Sequence, residues 1–137
     1  MTQPELETFT HADAWRVGSA LVARCRDEDL PVTIGIWIGM QRVFHYAFAG
    51  TSADNDCWID RKANTVRRFG FSSHEAEERY GSLGTDFFTV FGVSPSEYAL
   101  AGGAVPITVR GLVLGVVAVS GLESSVDNDL ALWALAQ

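Results

Sequence analysis

Positive charge is scarce in this chain: 10 Lys and Arg stand against 17 Asp and Glu, for a formal net charge of -7. Phosphate backbones and anionic membrane surfaces are bound through clustered Lys and Arg, so nucleic acid and membranes are disfavoured as partners. Cysteine is rare as well. Cys25 and Cys57 lie far apart with no CxxC, which indicates neither a disulfide framework nor a zinc knuckle and fits a reducing cytosol. No apolar run reaches the roughly 18 residues of a membrane span. The opening residues lack the basic and apolar regions of a secretory signal, so a soluble, cytoplasmic protein is expected. Also missing are a Walker-type phosphate loop, a GxGxxG fingerprint, an HExxH helix and a GxSxG elbow, which takes sequence support from the commonest nucleotide-binding and hydrolytic chemistries. His11, His45 and His74 are too widely spaced to form a metal site from local spacing.

What is present is the composition of a folded globular protein, 47% hydrophobic over 137 residues with a mean hydropathy of +0.11, and one domain spanning 1–137 is expected. Thr10 with Asp13 three residues on resembles a capping box, with Phe9 as a staple, and predicts a helix to about Asp27. Its stripe of Trp15, Gly18, Leu21, Val22 and Cys25 should face the rest of the fold, with Gly18 allowing close approach of a neighbour. Val32 to Ile38 alternates as a half-buried strand, and Arg42 to Ala49 completes a hairpin. A second helix opens at Ser52–Asn55, capped by Asp54 or Asn55, and stops at Gly70. A short acidic helix follows from Ser72 or Ser73 to about Gly81, and Thr85–Ser96 leans helical. Glu97–Ala101, Ala104–Val109 and Leu112–Ser120 read as three strands, the last central and covered on both faces, before a terminal helix over Asn128–Gln137 with Leu130, Trp133 and Ala134 inward. Hairpins around a block of helices imply an α/β (α+β) fold: a three-layer α/β/α sandwich on a five-stranded, mainly antiparallel sheet.

The residue that stands out is Lys62. On the second helix Asn55, Trp58, Ile59, Lys62, Val66 and Phe69 share one side, and an ammonium in such a stripe must snorkel, pair with a carboxylate or face a cavity. Asn55, Arg61 and Arg67 add donors nearby, and guanidinium groups suit planar anions, although Arg61 and Arg67 also suit a solvated face or a subunit contact. Gly102-Gly103, before Val105-Pro106-Ile107, lets a backbone approach a ligand or another chain, or forms a bend between strands. Asp54-Asn55-Asp56 and Asp127-Asn128-Asp129 resemble calcium half-motifs but lack the Gly and distant Glu of a calcium loop, so helix capping explains them. His45 and His74 read as structural residues, and Cys57 as a buried, inert thiol.

The run Phe44 to Gly50, the block Asp54-Asn55-Asp56-Cys57-Trp58-Ile59-Asp60-Arg61-Lys62-Ala63-Asn64-Thr65-Val66, Ser72-Ser73, and the closing Gly102 to Ile107, Gly111, Gly115 and Val119-Ser120-Gly121 to Asp127 together resemble the GlcG/HbpS-like, so-called haem-degrading domain family. The resemblance spans nearly the whole chain. It implies a profilin-like α/β/α sandwich, assembly as homodimers or larger rings, and an association with haem or corrinoid binding or with glycolate and diol metabolism. Where the terminal helix of many members reads Asp-His, this chain reads Asp127-Asn128, so that position has no histidine to hold iron. Three functional expectations follow. The first is a non-enzymatic oligomeric binding module for a small anionic or tetrapyrrole-like ligand, or for a protein partner, using Asn55, Trp58, Arg61, Lys62, Gly102 and Gly103. The second is a cofactor-free enzyme on a small organic acid, with Lys62 beside Ser72, Ser73 or His74. The third is a structural assembly module whose helix face is an interface.

Overall fold

The computed structural model describes residues 2–137. Its elements run α1 (His11–Asp27), β1 (Thr33–Ile38), β2 (Gln41–Ala47), α2 (Ala53–Phe69), α3 (Ser73–Tyr80), a 3-10 turn (Gly81–Leu83), α4 (Asp86–Phe91), β3 (Ala104–Val109), β4 (Leu112–Ser120) and α5 (Ser124–Leu135). The four strands pair antiparallel in the order β2-β1-β4-β3. Among the described residues the sheet has four strands where five were expected. The missing strand is Glu97–Ala101, whose backbone is claimed by side chains of α2 before another strand can pair with it. Thr65 Oγ1 donates to Ala99 O at 2.7 Å and accepts from Ala99 N at 3.3 Å, and Asn64 Nδ2 donates to Glu97 O at 2.8 Å. A buried backbone that already has partners gains nothing from a ladder.

Helices cover both faces of this sheet. Ile34, Ile36, Val105, Ile107, Val117 and Val119 pack on α1 and α5, and the alternate residues Trp37, Ala104, Val116 and Ala118 pack on Ile59, Ala63 and Val66 of α2. The period-two pattern of β1 therefore separates two buried faces instead of a wet and a dry one, because α2 returns over the side that alternation alone would leave to solvent. β4 is buried only from Gly115 onward, while Leu112, Val113 and Leu114 project at the hairpin end and stay exposed.

The capping box of α1 forms between Thr10 and Asp13, and Gly18 does allow close approach: a Cβ there would lie 2.5 Å from the Phe44 ring. Trp15 is 70% exposed, against expectation. The buried face is Ala14, Val17, Gly18, Leu21 and Cys25, and Trp15 lies beside it, edge-on to Phe44 at 5.9 Å. The cap of α2 is Ser52, with Asn55 as its reciprocal partner, so the cap sits two or three residues earlier than Asp54 or Asn55 would place it. Cys57 is exposed, because it sits on the outward side of α2, away from the buried face of Ile59 and Lys62. His45 and Arg42 reach from β2 to Asp56 and Asp60 of α2, each at 2.5 Å, and tie the edge strand to that helix. Beyond it, Phe69, Tyr80, Phe87 and Phe91 form an aromatic cluster, with centroids 4.7 to 6.0 Å apart, that joins α2, α3 and α4. No helix of the described residues is long and apolar enough to cross a membrane.

Candidate functional site

Lys62 is sealed by the sandwich. It stands on the inner face of α2 at 4% exposure, and its Nζ donates to Val119 O of β4 at 3.0 Å and to Asp127 Oδ2 of α5 at 3.3 Å. Asp127 is 1% exposed, and its second oxygen accepts the Leu122 N–H at 3.1 Å. α5 begins at Ser124, four residues before the expected start, since the apolar pattern on which that start rested sets in only at Leu130. Asp127 thus falls in the first turn, where the helix dipole favours a carboxylate.

Burial drives both groups toward their uncharged forms. It holds the Lys62 ammonium below its ordinary value despite the pull of Asp127. It pushes the Asp127 carboxyl up from 3.8 to about 6, against the opposing pull of Lys62. An ion pair taken this far from water is retained only where further hydrogen bonds satisfy it, as Val119 O and Leu122 N–H do here.

Gly102 and Gly103 lie beneath the pair. Both are buried, and a Cβ on Gly103 would sit 2.4 Å from Val119 O and 2.7 Å from Lys62 Nζ, at a φ of 136° that side chains rarely adopt. A Cβ on Gly102 would meet Ser124 O at 2.7 Å and His74 Nδ1 at 3.1 Å. These glycines make room for protein groups and do not border the cavity above the pair.

That cavity, of about 300 Å³, lies between α2 and the β4–α5 connection, and Asn55, Trp58, Lys62, Ser120, Ser124 and Asp127 contribute to its wall. Asn55 Nδ2 donates to Ser120 Oγ at 3.3 Å. Three of the sequence candidates, Asn55, Trp58 and Lys62, come together here. Arg61 does not. Its guanidinium lies 4.0 Å over the Trp58 ring and lines an adjoining, more apolar cavity of about 500 Å³ with Phe88, Tyr98 and Leu100. Arg67 turns to the far side, where burial lowers its guanidinium below the ordinary value and it donates to Gly39 O at 3.3 Å.

Ser72 caps α3 and Ser73 is buried on Ala104, so neither borders the Lys62 cavity. His74 borders a different cavity, of about 410 Å³, together with Asn128. There His74 Nε2 pairs with Glu78 at 3.0 Å, and Asn128 Oδ1 and His74 Nδ1 are buried without hydrogen-bond partners among the described residues. Asp127, Ser120 and Ser124 were the residues sequence reasoning missed. Asp127 read as a cap, and nothing in the local pattern ties it to a lysine 65 positions earlier.

A family model described as haem degrading protein HbpS-like matches residues 9–136. The chain is 43% identical to a UPF0303 protein of Streptomyces avermitilis over 99% of its length and 90% of the relative's. It is 38% identical to a UPF0303 protein of Mesorhizobium japonicum over 93% of its length and 77% of the relative's. Among solved structures it is similar to Ybr137w, with a TM-score of 0.87 and 31% identity over 96% of this chain and 78% of that one. The fold is shared at TM-score 0.78 and 18% identity with the PduOC:heme complex, over 94% of each chain. It is shared at 0.76 and 17% with HbpS, over 99% of this chain and 92% of that one. With the model match running almost from end to end and the UPF0303 relatives aligned along nearly all of it, the chain belongs to the HbpS-like haem-degrading family.

Proposed function

We propose that this protein binds a small carboxylate in the cavity above Lys62. One observation carries the reading: the Lys62 ammonium has three protons, Val119 O and Asp127 take two, and the residue borders a cavity. The N-terminus of α5 supports it: that helix starts at Ser124 with no side-chain cap, leaving amide N–H groups for an anion. Asn55, Ser120 and Ser124 supply neutral donors that fix orientation without adding charge.

The family description and the neighbour solved with haem favour a tetrapyrrole as the second reading. The Lys62 cavity and its apolar neighbour do not fit a histidine-ligated haem. Among the described residues, neither the Lys62 cavity nor its apolar neighbour is lined by histidine, cysteine or methionine, and Asn128 offers no iron-ligating nitrogen where the family resemblance implies a histidine in many members. Tyr98, in the apolar cavity, is a side chain of a type that ligates haem iron. Assembly into homodimers or rings belongs to this proposal too, with the apolar hairpin end at Leu112–Leu114 as a surface that a second copy would cover.

Calorimetric titration of the wild type and Lys62→Met with acetate and butyrate tests the carboxylate reading. Saturable binding that weakens about tenfold or more in the variant is expected, since a charge-assisted hydrogen bond is lost. Equal binding by both proteins would overturn it. Haemin titration tests the second reading: no Soret shift is expected, and a saturable shift abolished in Tyr98→Phe would establish haem instead.

A further inference from the structure

Resting on the carboxylate reading of the Lys62 cavity, we infer that the natural ligand class is an amphipathic carboxylate, with its head at Lys62 and an apolar chain or ring in the neighbouring cavity. The two cavities share a wall: Trp58 and Ala101 border both. On the Lys62 side the surroundings are polar, with Asn55, Ser120 and Ser124 and the carboxyl groups of Asp127, already engaged by Lys62 and the Leu122 N–H, and of the exposed Asp54 at the rim. Across Trp58 they turn apolar, with Phe88, Tyr98 and Leu100 and a volume of about 500 Å³. A ligand filling only the 300 Å³ polar cavity would leave the larger apolar space to water, next to groups that gain by excluding it.

The shared wall is built firmly enough to define the passage. The Arg61 guanidinium covers the Trp58 ring at 4.0 Å, and Ala99, two residues before Ala101, is held to α2 by the two hydrogen bonds it shares with Thr65, one accepted and one donated. Ala101 presents a single methyl group at the junction, the smallest side chain that still forms a wall. The other charge bordering the apolar cavity besides Arg61 is Glu77, whose Oε2 accepts from Ser124 Oγ at 3.4 Å, so it faces the same junction and disfavours a second anionic group on the tail. One carboxylate and an uncharged tail is the pattern that these walls complement.

The test is an affinity series of acetate, butyrate, octanoate and phenylacetate on the wild-type chain and on Ala101→Leu, with thermal melts to establish that the variant is folded. Affinity should rise by about fourfold for each methylene buried in the wild type. In Ala101→Leu, whose added bulk stands at the junction of both cavities, the rise along the series should vanish whatever acetate affinity the variant keeps. Equal affinities across the series in the wild type would overturn the amphipathic ligand and leave the carboxylate reading standing. No saturable binding of any acid would overturn both. Should the variant fail to fold, the wild-type series alone decides.

Discussion

Lys62 Nζ lies 3.3 Å from Asp127 Oδ2 across the gap between α2 and α5, and both side chains are almost wholly buried. A pair this deeply buried is a poor source of net stability, but removing one partner strands the other charge, at a cost of about 3 to 5 kcal/mol. Lys62→Met and Asp127→Asn should each lose about that much in denaturant unfolding. The double variant should lose far less than the two single losses added together. Additive losses would show that the two groups do not act as a pair.

The raised pKa of Asp127 sets the sign of a pH dependence. The folded protein holds this proton more tightly than the unfolded chain, so the group's contribution is complete below its ordinary value of 3.8 and is lost as pH rises through about 6. Between about pH 4 and pH 7 the wild type should lose stability relative to Asp127→Asn, with most of the change at about pH 5 to 6. Lys62 has the opposite sign: its lowered pKa makes its contribution grow with pH on the approach to the ordinary lysine value of 10.5. Parallel stability profiles for the wild type and Asp127→Asn over the acid range would contradict the first sign.

Gly103 should tolerate no side chain. Its φ of 136° and the approach of Val119 O and Lys62 Nζ predict that Gly103→Ala costs about 3 kcal/mol or more and disturbs the Lys62 pair. At Gly81 a Cβ would meet nothing within 4 Å, and the φ of -59° is an ordinary helical value, so Gly81→Ala should shift stability by less than about 1 kcal/mol. Thermal melts of the two variants compare them directly.

Thr65→Val keeps the shape of the side chain and removes both hydrogen bonds to Ala99. A loss of about 2 kcal/mol is expected, with faster hydrogen exchange at the Ala99 amide and its neighbours while the core of β4 stays protected. Unchanged exchange at Ala99 would mean that the Glu97–Ala101 segment is held by something other than α2.

Much of this architecture was legible because each signal was local. Thr10 and Asp13, Gly70 at the end of α2, and the alternation of β1 act within a few residues, and each marks its element in the structure, although β1 is buried on both faces where one was expected to be wet. Lys62 stood out for the same reason, as a cation within an apolar stripe. What escaped depends on partners distant in sequence. Thr65 is 34 positions from Ala99, so the conversion of an apparent strand into an anchored loop has no local trace. Trp15 looks like a core residue by type, yet the helix rotates so that Ala14 and Val17 face inward in its place. Gly102 and Gly103 read as a ligand-facing turn because a sequence cannot tell space left for a ligand from space left for the protein's own Lys62 and His74.

The most direct measurement follows the ¹⁵Nζ resonance of Lys62 and the Ser124 amide while butyrate is added at fixed pH. Both signals should shift together and saturate at one dissociation constant, and the Ser124 shift should disappear in Lys62→Met. Signals that stay in place while butyrate binds elsewhere, or that drift without saturating, would contradict a carboxylate held by this lysine.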